Sequence, residues 1–284
     1  MLHKLVKGIA PVVAFAAALA VGGCDGTVSI NGDKGVPLAE LDTAGKSPTE
    51  IVLAGPDSVV VTRGSALKIE VSGDPAAVEA LRFTLDDETL GVMREKDAGK
   101  IEGKARVAVT LPTLEKIVLA GSGTLEAPAL SGAAEVVIAG SGTARTDGVD
   151  ASSLEVTVAG SGTYRASGQA RSLELTVAGS GLADMAGLSV ETADVTIAGS
   201  GNAAFASNGT VEATVMGSGE VTVSGDAKCT ITAMGSGKLH CSGGTASAAG
   251  GAPTPPAAPG APATPPAPDT PDAPTPPAAP RAPE

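Results

Sequence analysis

The sequence predicts an all-β fold: a parallel β-helix, or solenoid, with rungs of 18–20 residues, followed by a Pro/Ala-rich tail that forms no core. Three observations predict it. A tetrapeptide, Ala-Gly-Ser-Gly or Met-Gly-Ser-Gly, occurs seven times, with first glycines at 121, 140, 160, 179, 199, 217 and 235. Residues that share a place relative to those glycines share a polarity. Aromatic residues are nearly absent, three Phe, one Tyr and no Trp, so the interior must be Val, Ile, Leu and Ala. A fixed period near 20 marks stacked repeats, each covering the apolar face of the next.

The chain opens with Lys4 and Lys7 and an uncharged run from Gly8 to Gly23. Such a run is shorter than the ~20 residues a spanning helix needs. Residues 1–23 therefore read as an export signal. Its end, Val21-Gly22-Gly23-Cys24, resembles a bacterial lipobox, which makes Cys24 the expected site of lipidation and of membrane anchoring. Residues 24–48, with Gly32, Gly35, Pro37 and Pro48, read as a flexible tether.

The body spans 49–245. Its first part, 49–112, shows strand patterns at Glu50 to Ala54, Ser58 to Thr62, Leu67 to Val71 and Arg106 to Leu111, while Val78 to Leu85 fits either a strand or a short helix. Irregular opening rungs suit a cap. The regular part begins near Lys116. Two places before the first Gly stand Leu119, Ile138, Val158, Val177, Ile197, Val215 and Ala233. Four places before stand Ile117, Val136, Val156, Leu175, Val195, Ala213 and Ile231. Alternation along a strand sends these columns inward and the intervening ones outward. Each rung is expected to run strand, glycine corner, strand, loop. Residues 246–284 hold 14 of the 21 prolines and read as an extended, solvated tail.

One outward column is acidic: Lys116, Glu135, Glu155, Glu174, Asp194, Glu212, Thr230. Carboxylates about 4.8 Å apart repel by ~1 kcal/mol in a water-like dielectric. One rung buries several aliphatic side chains at roughly 1.5–3 kcal/mol each. Burial wins, and the column reads as a solvated face. The alternative is a weak Ca²⁺ stripe at Glu135, Glu155, Glu174, Asp194 and Glu212, since hard cations prefer carboxylate oxygens.

Chemistry-bearing motifs do not assemble. His240 is the one histidine beyond the signal and occupies an outward column. Ser65-Ala66-Leu67-Lys68 matches Ser-x-x-Lys without companion motifs, and Gly-Ser-Gly is not a nucleophile elbow. No catalytic residue, metal site or cofactor is expected. Cys229 and Cys241 fall in inward columns of the last rung, as a disulfide pinning it or as two reduced core thiols. The net charge of −12, more negative once Lys4 and Lys7 are removed, argues against nucleic acid as a partner.

The run Thr110-Leu111-Pro112-Thr113-Leu114-Glu115-Lys116-Ile117-Val118-Leu119-Ala120-Gly121-Ser122-Gly123, with the Gly-Ser-Gly strands after it, resembles the head GIN domain family, labelled auto-transporter adhesins. The resemblance covers 49–245 and implies a right-handed, single-stranded parallel β-helix on the bacterial cell envelope. It carries over no catalytic residue. A lipobox without a translocator barrel departs from literal autotransport. The expected function is a non-enzymatic, lipid-anchored envelope protein presenting a β-helical surface for binding or adhesion, with an envelope or extracellular glycan or protein as partner. The alternatives are a passive structural or stress-related scaffold and a carbohydrate-active enzyme.

Overall fold

The computed structural model describes residues 19–21, 28–30, 33–95 and 101–248. Cys24 and the tail from 249 onward lie outside the described residues. Two short strands, β1 (Leu19–Val21) and β2 (Val28–Ile30), pair antiparallel. The cap follows as β3 (Glu50–Ala54), β4 (Ser58–Arg63), β5 (Lys68–Gly73), helix α1 (Pro75–Glu79), β6 (Leu81–Leu85), β7 (Thr89–Arg94) and β8 (Ala105–Leu111). Next come β9 (Lys116–Gly121) and β10 (Thr124–Ala127). Each later strand is most of a turn: β11 (Leu130–Gly140), β12 (Thr143–Gly160), β13 (Thr163–Gly179), β14 (Leu182–Gly199), β15 (Asn202–Gly217), β16 (Glu220–Gly235) and β17 (Lys238–Ala248). From β11 to β17 every neighbour pairs in parallel, giving a β-solenoid of about seven turns.

The inward columns lie where alternation puts them. Val156, Leu175 and Val195 are fully buried, as are Val158, Val177 and Ile197. The segment expected to be a loop is instead extended and buries its own residues, Val149 and Ala151 in one turn, Leu188 and Val190 in another. Each turn therefore has three walls. The reason is backbone satisfaction: a loop stacked on a loop would leave buried N–H and C=O groups unpaired, whereas an extended segment pairs with the turn below. Differences in repeat length are absorbed as register shifts on this side, for example between Met185 and Ser189.

The glycine corners are stacked contacts as well as turns. Gly160 has φ +109°, and a Cβ built on it would lie 2.6 Å from the carbonyl oxygen of Gly140 one turn below. Only glycine meets both demands. The second glycine has a different reason: a Cβ on Gly162 would lie 2.5 Å from Ile138 of the inward column. The corners are also hydrogen-bonded along the stack, since Ser161 N donates to Gly140 O and Ser180 N to Gly160 O, both at 2.9 Å.

Size is balanced between turns. Tyr164 is fully buried, and its register neighbours above and below are Ala144 and Ala183. Burial raises the Tyr164 hydroxyl to a pKa of about 12.

At the cap, the parallel order stops. β6 pairs antiparallel with β7, and β5 antiparallel with β8. Both readings offered for 78–85 are present in sequence: helix α1, capped by Asp74 accepting from Ala76 N (3.0 Å) and Ala77 N (3.2 Å), and then strand β6. Residues preceding the body also pack on it. Val36 and Phe83 exchange two backbone hydrogen bonds of 2.8 and 2.9 Å. Ile30 covers outward residues of the first turns, Val52, Val118 and Val137, which explains why this outward column is Val there and Thr from 157 onward.

Candidate functional site

The acidic column forms as a single file. Lys116 lies in register between Glu50 and Glu135, and the file continues through Glu155, Glu174, Asp194 and Glu212. Glu174, Asp194 and Glu212 are exposed, while Glu135 and Glu155 are half-buried. The Lys116 ammonium is 3.1 Å from Glu135 Oε2 and 3.9 Å from Glu50 Oε1. Burial raises the Glu50 carboxyl above its ordinary value, with Lys116 pulling the other way. Burial, then Glu135 and Glu174, raise Glu155. Among the described residues no three acidic, His or Cys side chains group as a metal-binding set.

The two late cysteines come together. Cys229 is buried, Cys241 half-buried, and they are bonded as a disulfide with Cα atoms 6.6 Å apart. Cys229 stands on β16 and Cys241 on β17, 12 residues apart, so the bond closes a span shorter than one 18-residue repeat. His240 is exposed, its Nε2 3.3 Å from Glu220 Oε1 one turn below.

Two features were not anticipated from the sequence. The first is a buried ion pair in the cap. Arg94 donates to both carboxylate oxygens of Asp57, at 2.8 and 2.6 Å, and to the carbonyls of Ile101 and Gly103 at 3.1 and 2.6 Å. Asp57 also accepts from Ala105 N at 2.8 Å. The readable signal was the column: Ile51 and Leu53 stand four and two places before Gly55, so Ala54-Gly55-Pro56-Asp57 is a degenerate corner with Asp in the second glycine's place. Gly55 N bonds Ala120 O, which stacks this corner under the first regular one.

The second feature is a groove of about 430 Å³ along the third wall. Its floor is small and apolar, Ala151, Ala170 and Val190, all buried. Its sides carry Asp150, Gln169, Arg171, Glu191 and Asn208, contributed by four successive turns. Gln169 Nε2 donates to Asp150 Oδ1 at 3.0 Å, whereas Arg171 forms no ion pair among the described residues. Stacking at about 4.8 Å per turn lines up donors and acceptors along the axis. The groove lay in the segment read as a loop, which is why sequence reasoning missed it.

The profile described as "putative auto-transporter adhesin, head GIN domain" matches residues 47–227. The chain belongs to the head GIN domain family. No curated protein matches it. Among solved structures this GIN domain is similar to a putative adhesin from Bacteroides fragilis NCTC 9343, at TM-score 0.61 and 19% identity over 69% of this chain and 93% of that one. It is similar also to a putative lipid binding protein from Parabacteroides distasonis ATCC 8503, at TM-score 0.54 and 20% identity, covering 69% and 93%. A putative adhesin from Parabacteroides merdae ATCC 43184 gives 0.53 and 18%, covering 71% and 98%. At these identities the likeness is one of fold. The GIN match stops at 227, so Cys229, β17 and Cys241 lie beyond it, although the stacking runs on to Ala248.

Proposed function

We propose that this protein is a non-enzymatic, lipid-anchored component of the bacterial envelope that binds a hydroxyl-rich glycan through the third-wall groove. The groove carries the reading. It spans four turns and offers carboxylate, amide and guanidinium groups beside small apolar residues. The interior is filled by aliphatic columns, and the outer acids stand in file rather than facing one another across a cleft. Membership in an adhesin-labelled family supports an envelope or surface location, and Val21-Gly22-Gly23-Cys24 supports a lipid on Cys24.

Without aromatic platforms the glycan is held by hydrogen bonds and by Arg171, so affinity for one site is modest and repeated sites along a polymer sum. The test is binding of the protein to envelope polysaccharides, with Arg171→Ala and Gln169→Ala compared to the parent. Both should weaken binding about tenfold, as loss of one charged or two neutral hydrogen bonds does. Undiminished binding by both variants places the ligand elsewhere. Mass spectrometry of the mature N-terminus, expected to begin at an acylated Cys24, tests the anchor. A passive scaffold is the second reading, favoured by one observation, the open edge of the last turn.

A further inference from the structure

The two ends of the solenoid are finished differently. At the first end the parallel edge is closed by antiparallel strands β6 and β5, by α1 against β5 and β8, and by Val36 bonded to Phe83 on the free side of β6. At the last end, β17 pairs with β16 on one side and with no other strand among the described residues. Lys238 N donates to Gly219 O, so the alternating backbone directs the N–H groups of Leu239 and Cys241 away from β16, toward the open side. The surface changes there too. The column one place before each corner is Ala at 120, 139, 159, 178 and 198 and becomes Met at 216 and 234. Met216 and Met234 are 39% and 58% exposed, two of the three large apolar side chains exposed in the described residues. Ile231 and Leu239 at this end are only partly covered. The last turn is stiffened by the Cys229–Cys241 bond, which prearranges the edge.

We propose that the open edge of β17 docks a second copy of this chain, β17 against β17, antiparallel across a two-fold axis. The sequence that follows β17 is poorly suited to add a strand there. Prolines recur from Pro253 to Pro283 with never more than two other residues between them, and no proline donates to a ladder. A second β17 offers matching donors and acceptors throughout. The antiparallel arrangement is forced by the other end: a capped edge cannot receive an open one, so head-to-tail growth is blocked and association closes at two. β17 itself carries Lys238, in register with Glu220, and His240, paired with Glu220 at 3.3 Å. Exposed methionines supply adaptable apolar contact at the rim. This inference is independent of the groove, which lies on a side wall and stays open in the pair.

The test uses the full chain carrying Cys24→Ser, to remove any acyl group, in sedimentation equilibrium and amide hydrogen exchange. The expected result is a mass of two chains, with the Leu239 and Cys241 amides slow to exchange at high concentration and fast on dilution. Met234→Lys, which leaves the core untouched, should weaken association more than about tenfold, because both copies lose a buried thioether chain. Met216→Lys, one turn further back, should weaken it less. A monomer at all concentrations overturns the proposal, and a monomer with protected β17 amides assigns the edge to the chain's own tail. A dimer that both lysine variants leave unchanged, with β17 amides unprotected, overturns it in favour of another face.

Discussion

The cap and the repeats solve the same problem by different means. Between 49 and 112 no period is kept, and the polypeptide is held by particular polar contacts: Arg94 with Asp57, Asp74 at the start of α1, and edge strands that reverse direction. Beyond Glu135, as far as 235, the ion pairs among the described residues are exposed, and the structure rests on repeated aliphatic columns and repeated corners. The difference teaches that stacking specifies its own interior but not its own ending. An end has to be written with unique residues.

The sharpest way to break this contrast is to remove one partner of the cap's ion pair. Arg94→Met leaves Asp57 buried without its guanidinium, and loss of about 3–5 kcal/mol is expected in denaturant unfolding. A loss below 1 kcal/mol would mean that water already serves Asp57. The next largest effect is expected at a stacked corner. Gly160→Ala meets a positive φ and the Gly140 carbonyl together, and should cost roughly 2–3 kcal/mol. Gly45→Ala, in a turn before the body with φ +69° and nothing within 4 Å of the new Cβ, should cost only about 1 kcal/mol. Equal losses at the two sites would show that φ alone, and not stacking, selects glycine.

The smallest effect sits in the acidic file. Burial and the flanking acids raise Glu155, so the fold favours its protonated form. A raised carboxyl penalises the folded state as pH climbs from the ordinary glutamate range, about 4.3, through the folded value, and the penalty is complete above that. Glu155→Gln should therefore raise the melting temperature slightly at pH 7, with the gain disappearing near pH 4. A gain that persists at pH 3.5 would assign it to packing.

Much of this molecule is legible in its sequence where residues repeat. Two inward columns, the corners, the outward acids and the place of the parallel stack all follow from spacing against the Gly-Ser-Gly copies. What is not legible is what occurs once. Asp57 and Arg94 are 37 residues apart in an irregular stretch, and neither belongs to a pattern until the degenerate corner at Gly55 is recognised. The third wall was hidden for another reason. Its register shifts break the two-residue alternation that betrays a strand, so segments such as Gly187–Thr192 look like loop. The groove, built on that wall, was hidden with it. The half-buried state of Glu155 depends on neighbouring turns and has no counterpart in its own flanking residues.

The hydrogen bonds between turns run along the stack, with the capped end toward the N-terminus and β17 toward the C-terminus. A force pulling those two ends apart therefore loads one ladder at a time, as in opening a zipper, and not all ladders together, as in shear. Such a body should lengthen in steps under tension. Each step releases one repeat of 18–20 residues, about 65 Å of extended chain, and the cross-link between Cys229 and Cys241 withholds only the 12-residue span it encloses. Loaded from its two ends, a fold of this kind yields turn by turn and not all at once.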